Sequence, residues 1–283
     1  MVGIPGWSNF PVRAITVVHL GGRPCRMDEI SDYAKSINAF LIEDACHAPL
    51  AKYTDKNRNL YNVGSCSHSD VATFSFHAIK HITTGEGGAL MTNLENLAKK
   101  SKLFSSHGMI RDPSKMINKD QAKLPWYYEM NNFGFNYRLS DINCALGISQ
   151  ISKLYENNEQ RQKVASYYYK YLNDVENIYL PPVLKEDDGE HAWHLFSPRF
   201  NFEKIGKSRA DIMNILLSKG IGTQVHYIPL YRQPYYSEKV THSNFQGAEA
   251  YYNSTLSIPM HHGLRENDIL RISSEIKSAL IKK

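Results

Sequence analysis

The period of the apolar positions changes along this chain, and the changes mark out its elements. Residues Ala14–Leu20 form an unbroken, largely β-branched run that predicts a buried strand. Gly21, Gly22 and Pro24 interrupt it. Ile30, Tyr33, Ala34 and Ile37 then recur at helical spacing, which predicts a helix with Asp28 at its N-cap. Phe40–Glu43 reads as the next strand. Strand, helix and strand in this order imply parallel pairing with a right-handed crossover. Asp44 then falls at the carboxyl end of the second strand, the end at which open α/β sheets bind ligands.

The same reading continues with strands at Val71–Phe76 and Ala89–Thr92 and a helix over Leu94–Phe104. Residues 109–132 are polar, carry Pro113, Pro125 and the triplet Trp126-Tyr127-Tyr128, and predict a long loop. Loops of that length are usually functional or disordered. Ser140 caps a helix containing Ile142, Ala145 and Leu146, and a charged, tyrosine-rich helical stretch runs over Lys153–Leu172. Leu180-Pro181-Pro182 marks a boundary. Beyond it come a strand at Trp193–Phe200 and a capping-box pattern at Ser208–Asp211 before Ile212, Ile215 and Leu216, with Gly220 as the stop. A strand at Thr223–Ile228 and a helix from Glu266 complete the pattern. The expected organisation is a large α/β domain over 1–152, a connecting helical stretch over 153–179 and a smaller α+β domain over 180–283.

Composition narrows the class. The 283 residues carry a net charge of +5, from 33 basic and 28 acidic side chains without a long single-sign block. That argues against nucleic acid as a partner and allows a mild preference for anionic ligands. Cys25, Cys46, Cys66 and Cys144 form no CxxC pair, as expected of reduced thiols in a cytoplasmic protein. The 12 histidines include no HExxH, so no metal site is expected. No apolar run reaches membrane-spanning length, and Met1–Phe10 lacks the charged and apolar regions of a leader.

Lys80 carries the strongest chemical signal. It follows an apolar strand, with Ser75 five residues before it and Gly85, Gly87 and Gly88 after it. A lysine at such a place can lose its proton when desolvated, and a neutral amine can attack a carbonyl in Schiff-base chemistry. Pyridoxal phosphate chemistry needs such an amine and also a carboxylate against the pyridine nitrogen, which Asp44 would supply. Ser75 is placed to donate to a phosphate oxygen. Taken singly, each residue also has an ordinary reading: Lys80 as a solvated loop lysine, Asp44 as a cap or turn residue.

The runs Glu43–Ala48, Phe74–Gly88 and Gly134–Ile142 resemble the DegT/DnrJ/EryC1/StrS family of pyridoxal phosphate-dependent nucleotide-sugar aminotransferases. The resemblance runs from about Ala14 to the C-terminus. It implies the fold type I, aspartate-aminotransferase-like architecture: a mostly parallel sheet in the large domain and a smaller α+β domain. It also implies roles. Lys80 would bond the cofactor and move the proton between the substrate carbon and the cofactor's C4′. Asp44 would pair with the pyridine nitrogen, His47 would pack near the ring and its 3-hydroxyl, and Ser75 would bind the phosphate. Asn136 would reach the phosphate of another subunit's cofactor, which implies a homodimer. Tyr137, Arg138 and His226 would lie near the substrate; read without the resemblance, Asn136 is a turn residue and His226 a strand histidine.

The runs Pro125–Met130, Ala145–Gln150 and Gln224–Pro229 narrow the likeness to members acting in pseudaminic acid synthesis. The implied reaction is amino transfer from L-glutamate to C4 of a UDP-linked 4-keto-6-deoxy-N-acetylhexosamine. Alternatives are transfer to a sugar nucleotide of the perosamine or bacillosamine type, or an inactive remnant of such an enzyme. The family's N-terminal segment, with its phosphate-binding Gly-Thr/Ser-Ala turn and ring-stacking aromatic residue, is not matched. A truncated large domain that binds the cofactor poorly is therefore expected.

Overall fold

The computed structural model describes residues 11–185, 188–238 and 245–281. The opening stretch 1–10, read above as no leader, lies outside the described residues. The chain starts with strand β1 (Ala14–Val18), helix α1 (Met27–Ser36) and strand β2 (Phe40–Asp44). β1 and β2 pair in parallel, with Val18 opposite Asp44. Short strands β3 (Lys52–Thr54) and β4 (Leu60–Asn62) form an antiparallel pair. β5 (Val71–Ser75) pairs in parallel with β2, and β6 (Gly88–Met91) turns back antiparallel to β5. The resulting sheet has the order β1-β2-β5-β6.

Two sequence expectations are corrected here. β1 is half exposed rather than buried, with Val18 44% accessible, because among the described residues it is the edge of its sheet. Asp28 does not cap α1: Arg26 holds the N-cap position without a side-chain capping bond, and the Asp28 carboxylate accepts the Lys56 N–H at 2.9 Å. Asp28 thus ties the start of α1 to the turn between β3 and β4.

Helix α2 (Glu95–Phe104) leads to β7 (Met109–Ile110), which pairs antiparallel with β8 (Glu129–Met130). The stretch between them is ordered by Glu129, whose carboxylate accepts the N–H groups of Ile117 at 2.6 Å and Asn118 at 2.7 Å. The expected long loop is therefore a closed excursion pinned at its base. Helices α3 (Asp141–Ile151) and α4 (Leu154–Leu172) follow, with Ser140 capping α3 through the Asn143 N–H.

Past β9 (Ile178–Tyr179) and β10 (Gly189–Glu190), which pairs with β3, comes β11 (Arg199–Phe200), paired with β9. The strand expected over Trp193–Phe200 is thus confined to its last two residues; the rest is an extended strap whose backbone bonds elsewhere. Helices α5 (Phe202–Ile205), α6 (Arg209–Ser218), α7 (Pro234–Ser237), α8 (Gln246–Ser254) and α9 (Glu266–Leu280) complete the chain. The capping box of Ser208 and Asp211 is present as expected. Thr223–Ile228 is not a strand: its one ladder contact is a bridge between Gln224 and Ser257, after which the chain turns toward Pro229.

Two apolar clusters hold these elements. One joins Met27, Ala34, Leu41, Ala45, Ala48, Ala51, Tyr53 and Val63 with Ala192. The other gathers Val164, Tyr168 and Leu172 of α4 with Phe196, Phe200, Ile212, Leu216, Leu256 and the buried face of α9. The strap runs between them, so neighbouring residues Ala192 and Trp193 belong to different clusters. Among the described residues no helix is long and apolar enough to cross a membrane.

Candidate active site

The parallel pairing of β2 and β5 brings their carboxyl ends side by side, with Asp44 opposite Thr73. Asp44 and Ser75, the last residues of these strands, therefore face the same end of the sheet. The Asp44 carboxylate accepts the Cys46 N–H at 3.0 Å, a local turn that also carries the chain to His47. Ser75 Oγ accepts the His77 N–H at 3.3 Å, which leaves its own hydrogen to donate.

Lys80 sits on the connection from β5 to β6. Phe76 closes the base of that connection: its N–H donates to the Gly87 carbonyl at 2.8 Å, and its carbonyl accepts the Thr84 N–H at 2.9 Å. Inside it the Lys80 N–H donates to the His77 carbonyl at 2.9 Å. Gly88 is required where β6 returns, since a Cβ there would lie 2.6 Å from the Phe74 carbonyl oxygen. Asp44, Cys46, His47, Ser75 and Lys80 line one cleft of about 690 Å³, closed on the far side by Tyr227–Leu230, Ala248 and Tyr251.

Burial sets the electrostatics. Desolvation lowers the Lys80 pKa, against the upward pull of Cys46 and Asp44. The Cys46 thiol is raised to about 11, first by burial and then by Asp44, so it stays protonated beside the lysine. Burial, and then Lys80, lower the His47 pKa to about 4. His226 is lowered for the same two reasons; its Nδ1 is hydrogen-bonded to Ser257 Oγ at 2.8 Å.

Beneath the cleft, Glu43 is 1% exposed yet charged. Burial would raise its pKa, but the His19 ring, the Gly64 N–H and the Ser69 hydroxyl outweigh that and hold it low. Those contacts measure 3.0, 2.9 and 2.8 Å. Glu43 thus fastens β2 to its surroundings one residue before Asp44. Sequence reading passed over it, because its partners lie as far along the chain as Ser69.

Asn136, Tyr137 and Arg138 do not line this cleft. All are exposed; Tyr137 stacks on Phe135 at 4.8 Å between ring centroids, and Arg138 donates to Ser106 Oγ at 3.2 Å. Arg138 lines a separate, basic cleft with Lys99, Lys102, Arg111 and Lys115. Sequence reading also passed over Tyr227, which lines the Lys80 cleft, and over the buried His81 and His194 behind it.

A desolvated amine, a carboxylate and a hydroxyl at the carboxyl ends of parallel strands are the donor set of a pyridoxal phosphate site, and the residues present fit that group. The comparisons agree. The chain belongs to the DegT/DnrJ/EryC1/StrS aminotransferase family, whose model matches residues 9–277, beginning ahead of Ala14. Members of this family are pyridoxal phosphate-dependent. Over 275 residues the chain is 37% identical to a UDP-4-amino-4,6-dideoxy-N-acetyl-beta-L-altrosamine transaminase of Campylobacter jejuni, covering 97% of this chain and 68% of that protein. It is 34% identical to the spore coat polysaccharide biosynthesis protein SpsC of Bacillus subtilis, covering 91% of this chain and 64% of that one. Helicobacter pylori PseC, an aminotransferase of pseudoaminic acid biosynthesis, superposes with a TM-score of 0.83 at 29% identity, over 95% of this chain and 67% of that one. The fold is thus that of the type I pyridoxal phosphate-dependent sugar aminotransferases. The chain spans about two thirds of the length of the curated relatives it matches.

Proposed function

We propose that this protein transfers an amino group from L-glutamate to C4 of a UDP-linked 4-keto-6-deoxy-N-acetylhexosamine, using pyridoxal phosphate. The observation that carries this is the convergence of Asp44, Ser75 and Lys80 on one cleft. Lys80, Asp44, His47 and Ser75 would hold the cofactor, which when bound supplies a reactive carbonyl and an electron sink. Lys80 Nζ, its pKa lowered by burial, takes the proton from the substrate carbon and returns it at the end of the transfer. Asp44 would pair its carboxylate with the pyridine nitrogen. Ser75 Oγ would donate to the phosphate and His47 would pack beside the ring. His226 would orient the sugar nucleotide; Tyr137 and Arg138, which lie outside this cleft, would do so from the second copy of a dimer, and the net charge of +5 suits the diphosphate.

The same reading includes a two-fold dimer in which Asn136 reaches the cofactor phosphate of the second copy. The exposed apolar surface of α3 supports it: Ile142 is 84% and Ile148 73% accessible. The test is direct. Pyridoxal phosphate is added, the mixture is reduced with borohydride, and the digest is examined by mass spectrometry. Label on Lys80, absent in Lys80→Ala, is the expected result. Nitrogen from L-glutamate should then appear on the UDP-linked 4-keto sugar in preference to a GDP-linked one. Label on other lysines alone, or transfer to the GDP sugar, would overturn the assignment.

A further inference from the structure

Behind the Lys80 cleft three imidazoles pack against one another, tilted by 33° and 34°, brought together from separate parts of the chain. His47 follows β2, His81 follows Lys80, and His194 lies in the strap between the two apolar clusters. They are 5%, 3% and 6% exposed. Ring centroids are 4.3 Å apart for His47 and His194, and 5.3 Å for His81 and His194. Neither His81 nor His194 has a role in the function proposed above.

One glycine connects ring to strap. The Gly21 N–H donates to His47 Nδ1 at 3.3 Å, while the Gly21 carbonyl accepts the N–H groups of His194 at 2.8 Å and Leu195 at 3.1 Å. A ring nitrogen that accepts from an amide carries no proton, so the proton of neutral His47 is on Nε2. With Nδ1 taken, Nε2–H is the polar group this ring has left for a ligand. The junction is tight. Gly22 has φ +94°, and a Cβ on it would lie 2.8 Å from the His47 carbonyl oxygen and 2.9 Å from the Trp193 nitrogen.

The strap is itself held from three sides. The Ala192 N–H donates to the Gly22 carbonyl at 2.9 Å, and His81 Nε2 donates to the Ala192 carbonyl at 2.9 Å. From α4 the buried Arg161 guanidinium donates to the carbonyls of Trp193 at 3.1 Å and His194 at 3.4 Å. His194 therefore presents a fixed ring face to His47. The Nδ1 atoms of His81 and His194 have no hydrogen-bond partner among the described residues. The contact between the two rings is thus a packing contact and not a hydrogen bond through those atoms.

We infer that His194 is a positioning residue for His47: its ring backs the His47 imidazole while Gly21 joins the two, fixing His47 as a neutral donor aimed by its ring plane. The inference rests on reading the Lys80 cleft as a cofactor site for its purpose, but not for its test. The charged and titratable groups near these rings are Lys80, Asp44, Arg161 and His226, with Tyr227 stacked on His47 at 6.3 Å between centroids. The histidines are labelled with nitrogen-15 and their ring signals followed by NMR in the full chain without cofactor. The expected spectrum has one His47 form, protonated at Nε2 and bare at Nδ1, which persists from pH 8 to about 5.

In His194→Ala the His47 signals should split or average between tautomers and titrate nearer the ordinary histidine range, and in His194→Phe the single form should return. His194→Leu, of similar bulk but without a flat ring, gives the same comparison should the alanine variant fail to fold. An unchanged single His47 form in a folded Ala or Leu variant would overturn the inference. A failure of pyridoxal phosphate to label Lys80 in the unmodified chain would overturn the cofactor reading instead, and leave these spectra as they are.

Discussion

Lys80, Asp44 and Glu43 show how much of the candidate site a single residue can decide. Replacing Lys80 by alanine removes the proton carrier and should lower amino transfer by about 10²- to 10⁴-fold, measured in single turnover. Arginine should not restore it, because a guanidinium keeps its proton. Glu43→Ala strands the His19 ring, the Gly64 N–H and the Ser69 hydroxyl in the interior. Its expected cost is about 3–5 kcal/mol, read from the urea midpoint. Acid sensitivity follows from the histidines. Burial lowers the pKa of His47 to about 4 and of His81 and His191 to about 3, below the ordinary 6.5. The unfolded chain therefore takes up protons first. The stability these groups contribute is intact above pH 6.5 and falls as pH drops from there toward 4. Urea titrations at successive pH values should show this fall with a slope steeper than one proton supports. That Lys80, Asp44 and Ser75 meet in one cleft was legible in the sequence because motif and strand ends coincide there. Glu43 and the imidazole cluster were not, since their meaning lies in partners as far away as Ser69 and His194.

At the scale of elements, local rules held where the cause was local. The Ser208–Asp211 box was legible because both partners lie within one turn, and it forms. Ser208→Ala should cost about 1 kcal/mol in thermal or urea unfolding, with the helix fold kept. The parallel pairing of β1 and β2 was legible for a similar reason: strand, helix and strand periods follow one another cleanly there. Thr223–Ile228 misled because a β-branched, aromatic pattern marks an extended chain, whereas a strand also needs a neighbour along its length. Among the described residues its one ladder contact is that of Gln224 with Ser257. The strap misled likewise. Its carbonyls go to Arg161 and Gln162 of α4 and to His81, none of which periodicity can foresee.

For the molecule as a whole, the distribution of apolar side chains matters most. Helix α3 is the most apolar of the long helices, yet none of its residues is buried. Trp126 on the preceding excursion, and Phe133 and Tyr137 between β8 and α3, are each at least 70% accessible. Such a surface fits the two-fold dimer proposed above, in which each substitution counts twice. Ile148→Asp should raise the dimer dissociation constant roughly 100-fold or more, measured by sedimentation equilibrium, if burying each isoleucine contributes about 1.5–3 kcal/mol. An unchanged association state would remove α3 from the interface.

The strap also bears on the order in which the molecule can assemble during synthesis. The cluster beside the Lys80 cleft includes Ala192, whose N–H is bonded to Gly22, and the edge of β3 is covered by β10. That core stays incomplete while only the first half of the chain has emerged. β1, β2 and β5 can pair early, but they must wait, partly uncovered, for a segment more than a hundred residues further on. The interval during which they wait is when the nascent chain is most exposed to wrong partners, and a slow stretch of translation before residue 192 would lengthen it.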